Sequence, residues 1–241
     1  MTPSPAMRFH KSFAPRHATV VLCLAGICAA AASGADQLQA TLDRMDQEAA
    51  RFKGLSADVT KISHNAVLNA DDQFTGTMAV RRGPKPRELR AVVEIPPPDE
   101  KRVLLTSHHV EVYYPKNNTL QIVDLDRKGS AMVDQFLLLG FGSTSAEIRK
   151  AYDVKLGGAE TVAGQKTVRL VLTPKSAEVL AKLTKVELWI SDTLNIAVQQ
   201  QFWEPGGDYE LATYTRVNLN VGSQELKWSV PKNAHKEVLN K

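Results

Sequence analysis

The sequence predicts a mainly β, α+β fold: about eleven short antiparallel strands, an N-terminal helix, and short helices in the middle of the chain. Three observations predict it. Apolar and polar residues alternate with period two in segment after segment between Leu55 and Val221. One apolar stripe at three- and four-residue spacing precedes them. A uniformly apolar, glycine-ended run interrupts them midway.

Residues 1–35 stand apart from that fold. Arg8, Lys11 and Arg16 precede an apolar run from Ala18 to Ala32, and Ser33-Gly34-Ala35 follows. A basic region, an apolar region and a small-x-small exit form the pattern of a cleavable secretory signal peptide. The apolar run is shorter than the ~20 residues a membrane-spanning helix needs. The alternative is an uncut N-terminal anchor. Cleavage leaves one domain, residues 36–241, long enough for a sizeable core. It also removes three basic residues and no acidic one. The whole chain has 30 Lys+Arg against 26 Asp+Glu, so the remainder is almost balanced and gives no footprint for nucleic-acid binding. Cys23 and Cys28 both lie in the removed segment. Disulfides, thiolate catalysis and cysteine metal sites are thereby excluded from the mature domain. Neither cysteine follows a small residue, unlike a lipoprotein signal, so a soluble exported protein is expected.

The elements follow in order. Leu38, Leu42, Met45, Ala49 and Phe52 put one stripe on a helix from Asp36 to Phe52, and Gly54 ends it. Strands are then expected around Leu55–Val59, Phe74–Arg82, Leu89–Ile95, Arg102–Thr106, His109–Tyr114 and Thr119–Leu125, separated by Pro, Asn and Gly clusters. The run Met132 to Gly142 is too uniformly apolar for a half-wet strand and reads as a short helix. Thr144 to Glu147 reads as a capping box that opens a second short helix through Tyr152. Strands resume at Lys166–Leu172, Lys185–Ile190, Ile196–Trp203 and Glu210–Val221, with a short helix at Ser176–Leu183.

Catalytic chemistry finds little support. The sequence has no Gly-x-Ser-x-Gly elbow, no His-Glu-x-x-His and no phosphate-binding glycine loop. His108 and His109 are adjacent, so on a strand they face opposite sides and cannot share a metal. Trp189, Trp203 and Trp228 lack an interleaved basic stripe and read as wall or core residues. A membrane β-barrel would need strands of about 9–11 residues with a continuous lipid-facing band, which this order of short, helix-interrupted strands does not supply.

The ordered set resembles the LolA/LolB-like family of outer-membrane lipoprotein carriers. The resemblance rests on the amphipathic helix Leu38–Phe52, the strand Gly76–Pro84 with its Arg-Gly-Pro end, the tyrosine-bearing Val110–Pro115, the apolar Phe136–Phe141 and Leu172-Thr173-Pro174-Lys175. It covers nearly the whole mature chain. One departure is Gly83, which separates Arg82 from Pro84 where the typical carrier has Arg next to Pro. The resemblance implies an incomplete β-barrel with helices that enclose an apolar cavity. It also implies a periplasmic, non-enzymatic protein that carries acylated lipoproteins from an inner-membrane ABC transporter to an outer-membrane receptor. A LolA-like sensor or binding module for another lipid is the alternative. A monomer without cofactor, metal or nucleic acid is expected.

Within that frame Phe136, Leu137, Leu138, Leu139 and Phe141 form the expected lid. Composition alone favours a helix that plugs the barrel as core; the resemblance favours a lid. Phe74, Met78, Val80, Leu89 and Val93 are expected to line the cavity wall. Alternation gives the two neighbouring arginines different faces. Arg81 falls on the wetter face, and Arg82 follows Phe74, Gly76, Met78 and Val80 onto the apolar face. A partly buried guanidinium needs several acceptors, and the loose carbonyls at the end of the lid helix, near Leu139-Gly140, could supply them. Arg82 is therefore a candidate lid latch, the alternative being a solvated charge at a frayed strand end.

Overall fold

The computed structural model of the protein describes residues 25–83, 89–125, 138–222 and 225–239. It is mainly β. Helix α1 (Ala25–Arg51) is followed by β1 (Gly54–Asn65), β2 (Ala70–Arg82), β3 (Leu89–Ile95), β4 (Lys101–Thr106), β5 (His109–Tyr114) and β6 (Thr119–Asp124). Then come α2 (Ser145–Ala151), β7 (Tyr152–Val162), β8 (Gln165–Pro174), α3 (Ala177–Leu180), β9 (Lys185–Ser191), β10 (Ala197–Trp203), β11 (Tyr209–Asn218) and β12 (His235–Val238).

All the strands belong to one 12-stranded sheet, in the order β12-β6-β5-β4-β3-β2-β1-β11-β10-β9-β8-β7. The pairs are antiparallel except β12, which runs parallel to β6. The two outermost strands, β12 and β7, do not pair with each other, so the barrel stays open. Register shifts fall at Ser56/Asp58, Leu156/Gly158 and Ala197/Gln199; such bulges bend a strand and raise its twist.

The concave face holds the main core. Leu42 and Met45 of α1, with Phe52 just after it, are buried against Leu55, Val80, Leu89, Leu170 and Leu188 of the sheet. The convex face is covered by the chain after β11. Leu226 packs on Ala79, Val92 and Leu104. Trp228 lies under the Arg102 guanidinium, 5.3 Å from it, and the chain ends by adding β12 beside β6. The three tryptophans, expected in the wall or core, lie on the convex side, where Trp189 is buried in a small core with Val162 and Val198 and Trp228 packs on the Ala79, Val92, Leu104 and Leu226 cluster. Their indole N–H groups donate to Glu160, Glu187 and Glu111, because each amphipathic ring carries a donor that needs an acceptor.

Three other expectations are corrected. Helix α1 reaches back at least to Ala25 rather than starting at Asp36, since alanine-rich sequence favours helix. The strands β7 and β12 were not expected. The segment β7 alternates through Tyr152, Val154 and Leu156, but Gly157-Gly158 resembles a turn and is in fact a bulge against Arg169. The segment expected as a helix from Ser176 to Leu183 is a single turn capped by the Ser176 hydroxyl. The capping box at Thr144 is present, with Glu147 answering the Thr144 backbone N–H. Most of the run expected as the lid helix, including Phe136 and Leu137, lies outside the described residues.

Candidate functional site

Alternation along β1, β2 and β3 places Val59, Met78 and Val93 on the concave face. There they line a cavity of about 840 Å³, together with Phe74, Ile95, Val103, Phe202 and Ala212. That volume lies in the upper part of the roughly 300–1,000 Å³ range of small-molecule sites. The walls are apolar. Charged side chains appear only among the more exposed lining residues: Lys61, Lys101, Glu178, Lys182, Glu204 and Glu210.

The five expected wall residues divide. Phe74, Met78 and Val93 line the cavity. Val80 and Leu89 do not: they are buried in the packed core, because the strand ends that carry them lie where helix α1 and the turn after Leu138 fill the concave face. The expected lid residues divide as well. Leu138 is half-buried, and Leu139 and Phe141 are buried core members that plug the sheet beside the cavity instead of lining it. The Phe141 ring meets Tyr214 edge-on at 5.1 Å.

The backbone from Leu138 to Ser143 is held at every turn. The Leu138 carbonyl accepts from the N–H groups of Phe141, Gly142 and Ser143. Gly140 has φ +83, and a side chain there would meet the Cβ of Ala197 at 2.6 Å, so glycine is required. Its carbonyl accepts from Ala197 N–H at 2.7 Å. The carbonyl of Leu139 accepts from Gln200 Nε2, and that of Gly142 from Arg82 Nη2. A Cβ at Gly142 would sit 2.8 Å from both Arg82 Nη2 and Phe52 Cδ1, so the missing side chain makes room for the guanidinium.

Arg82 is the last residue of β2. Its N–H donates to the Lys53 carbonyl at 2.9 Å, and it pairs with Leu89. The charge is half-buried, 5.8 Å above the Phe52 ring. Arg81 points the other way and is exposed. The acceptor of Arg82 is Gly142, not Leu139 or Gly140, whose carbonyls are taken by Gln200 and Ala197.

Sequence reasoning missed the polar pair at the cavity floor. Gln200 and Tyr214 both line the cavity and are both buried. The Tyr214 hydroxyl donates to Gln200 Oε1 at 2.8 Å, and Gln200 donates onward to Leu139. Burial pushes the Tyr214 hydroxyl pKa well above its ordinary value. The only signal was Phe202, two residues after Gln200, because the register shift at Ala197/Gln199 reverses the alternation read from Ala197. Among the described residues no group of three or more His, Cys, Asp or Glu is placed to hold a metal, and no helix is long and apolar enough to cross a membrane.

No protein-family model and no curated protein matches this chain. Solved structures resemble it at low identity. An uncharacterized conserved protein from Thermus thermophilus is 17% identical, with 85% of this chain and 99% of that one covered and a TM-score of 0.48. The Mycobacterium tuberculosis lipoprotein LppX is 15% identical, with 76% and 98% covered and a TM-score of 0.46. A LolA superfamily protein from Nitrosomonas europaea is 14% identical, with 79% and 97% covered and a TM-score of 0.37. Each is a likeness of fold, and none carries an activity to this chain.

Proposed function

We propose that this chain is an exported, non-enzymatic carrier of acyl chains, made with residues 1–35 as a cleavable signal peptide. Its cargo is the acyl part of lipoproteins, moved across the periplasm from an inner-membrane ABC transporter to an outer-membrane receptor. The observation that supports the reading is the apolar hollow of about 840 Å³ between Phe74, Met78, Val93 and Phe202. Each methylene left in water costs roughly 0.8 kcal/mol, so a long acyl chain needs an apolar enclosure in transit. A sheet that is open at both outer edges and bent by bulges offers one with a way in. In this reading Arg82 and Gln200 hold the Leu138–Ser143 turn closed over the core beside the hollow, and release of that turn enlarges the space.

Native mass spectrometry of the protein isolated from its own cellular compartment tests the proposal. Co-purified acylated lipoprotein supports it. Bound free phospholipid redirects it to a general lipid carrier. A protein that is always empty, and whose depletion leaves lipoprotein sorting unchanged, overturns it.

A further inference from the structure

The rim of the cavity is chemically divided, and strand order makes the division. From β4 through β3, β2 and β1 to β11 and β10, the rim side chains run Lys101, Phe74, Lys61, Glu210 and Glu204. The ammonium groups of Lys61 and Lys101 each lie 5.6 Å from the centre of the Phe74 ring.

The two lysines are not equivalent. Lys61 lies 2.5 Å from Glu210, so its charge is answered within the protein. Lys101 has no carboxylate partner within ion-pair distance among the described residues; its contact is the Phe74 ring. Its neighbour Glu100 lines a groove on the opposite, convex face. Glu204 follows β10, five strands from β4 in the sheet, which at about 4.8 Å per strand is roughly 24 Å along the wall. Glu178 and Lys182, on the α3 side, carry opposite signs.

The floor offers a headgroup nothing comparable. Tyr214 and Gln200 bond to each other and to the Leu139 carbonyl, and Tyr152, which also lines the cavity, is buried. A charge placed there would lose its hydration without gaining a counter-charge.

We infer that the occupant enters tail first and that its headgroup is an anion, a carboxylate or a phosphate ester, held at Lys101 beside the Phe74 ring. The inference rests on the acyl-binding reading of the cavity and not on the lipoprotein cargo: an acylated cysteine has no anionic head, so an anionic occupant is a free fatty acid or a phospholipid and shifts the cargo to free lipid. A cationic head would meet an unneutralised ammonium. A neutral head would leave that ammonium without a partner.

Titration calorimetry on the delipidated full-length mature protein tests it with palmitate, hexadecyl phosphate and hexadecanol, which share one tail. The better anion binds about fivefold more tightly than hexadecanol, the scale of one partly exposed ion pair. Raised salt shrinks the ratio. Lys101→Ala brings it to about one, and Lys101→Glu inverts it. Palmitate ahead of hexadecyl phosphate identifies a carboxylate ligand, and the reverse order a phosphate one. Equal binding of all three by the wild type, or a ratio that survives in Lys101→Ala, overturns the headgroup assignment and leaves the acyl cavity standing. Failure of all three to bind overturns the acyl cavity itself.

Discussion

The concave face of the sheet has a packed end and a hollow end, and the same strands run through both. On β2, Val80 is fully buried while Phe74, six residues back on the same face, borders empty space. On β3, Leu89 and Ala91 are core, whereas Val93 faces the hollow. On β1 the change falls between Leu55 and Val59. Alternation is equally apolar at both ends. What differs is the partner: α1 and the Leu138–Ser143 turn answer one end, and among the described residues no element fills the other. An apolar strand face is therefore a demand for a partner, and a fold that leaves part of the demand unanswered has made room for a ligand.

Truncation should break the symmetry between the ends. Leu89→Ala opens a void in a close-packed region and should cost about 2–5 kcal/mol of unfolding free energy. Val93→Ala, already beside empty space, should cost less than about 1.5 kcal/mol and instead weaken acyl binding. Urea denaturation of both variants measures the contrast. Equal losses would mean that the hollow is filled in solution.

The junction between the ends is the next target. A hydrogen bond from a charged donor contributes about 1.5–3 kcal/mol, and Arg82 makes one to the Gly142 carbonyl. Arg82→Leu should destabilise the protein by an amount in that range without unfolding it. It should also raise amide exchange at Phe141 to Ser143 and disturb cargo release. Arg81→Leu, at an exposed position on the other face, should change none of these.

Filling the hollow should do the reverse. Ala212 lines the cavity on β11, and a phenyl group there enters empty space instead of an occupied core. Ala212→Phe should leave stability within about 1 kcal/mol of wild type, unlike the 1–3 kcal/mol typical of overpacking. It should weaken palmitate binding at least about tenfold, which is 1.4 kcal/mol. Intact binding in this variant would put the ligand elsewhere.

How much of this contrast was legible in the sequence follows from what periodicity can carry. The period of two put Phe74, Met78 and Val80 on one face and separated Arg81 from Arg82, because strand geometry fixes that parity locally. It could not say where the helix stops covering the face, so Val80 and Leu89 read as wall when they are core. The partner of Arg82 is 60 residues away in sequence, a contact created by the sheet and not by local pattern. Strand β12 was hidden for another reason. His235-Lys236-Glu237-Val238 has no apolar alternation, and its strand geometry comes from backbone pairing with β6. Gln200 was hidden in Gln199-Gln200-Gln201, where only the upstream bulge decides which amide turns inward.

The buried pair at that bulge gives the smallest effect and the cleanest sign. The Tyr214 hydroxyl sits in the floor between the two ends, donating to Gln200. Its folded pKa is raised by burial above the ordinary tyrosine value near 10. Below pH about 10 the hydroxyl is protonated in both folded and unfolded chains, and its contribution is fully present. Above that pH the unfolded chain releases the proton while the folded one keeps it. Stability then falls with a limiting slope of about 1.4 kcal/mol per pH unit for this one group. Tyr214→Phe removes the titration. At neutral pH it should cost about 1 kcal/mol for the lost hydrogen bond. Between pH 10 and 11 the gap between wild type and variant should narrow, because only the wild type carries this proton linkage. Lysines and other tyrosines titrate in both proteins and cancel in the difference. A gap that stays constant across that window would show that Tyr214 is open to water, and that the floor of the hollow is wetter than its Gln200 contact implies.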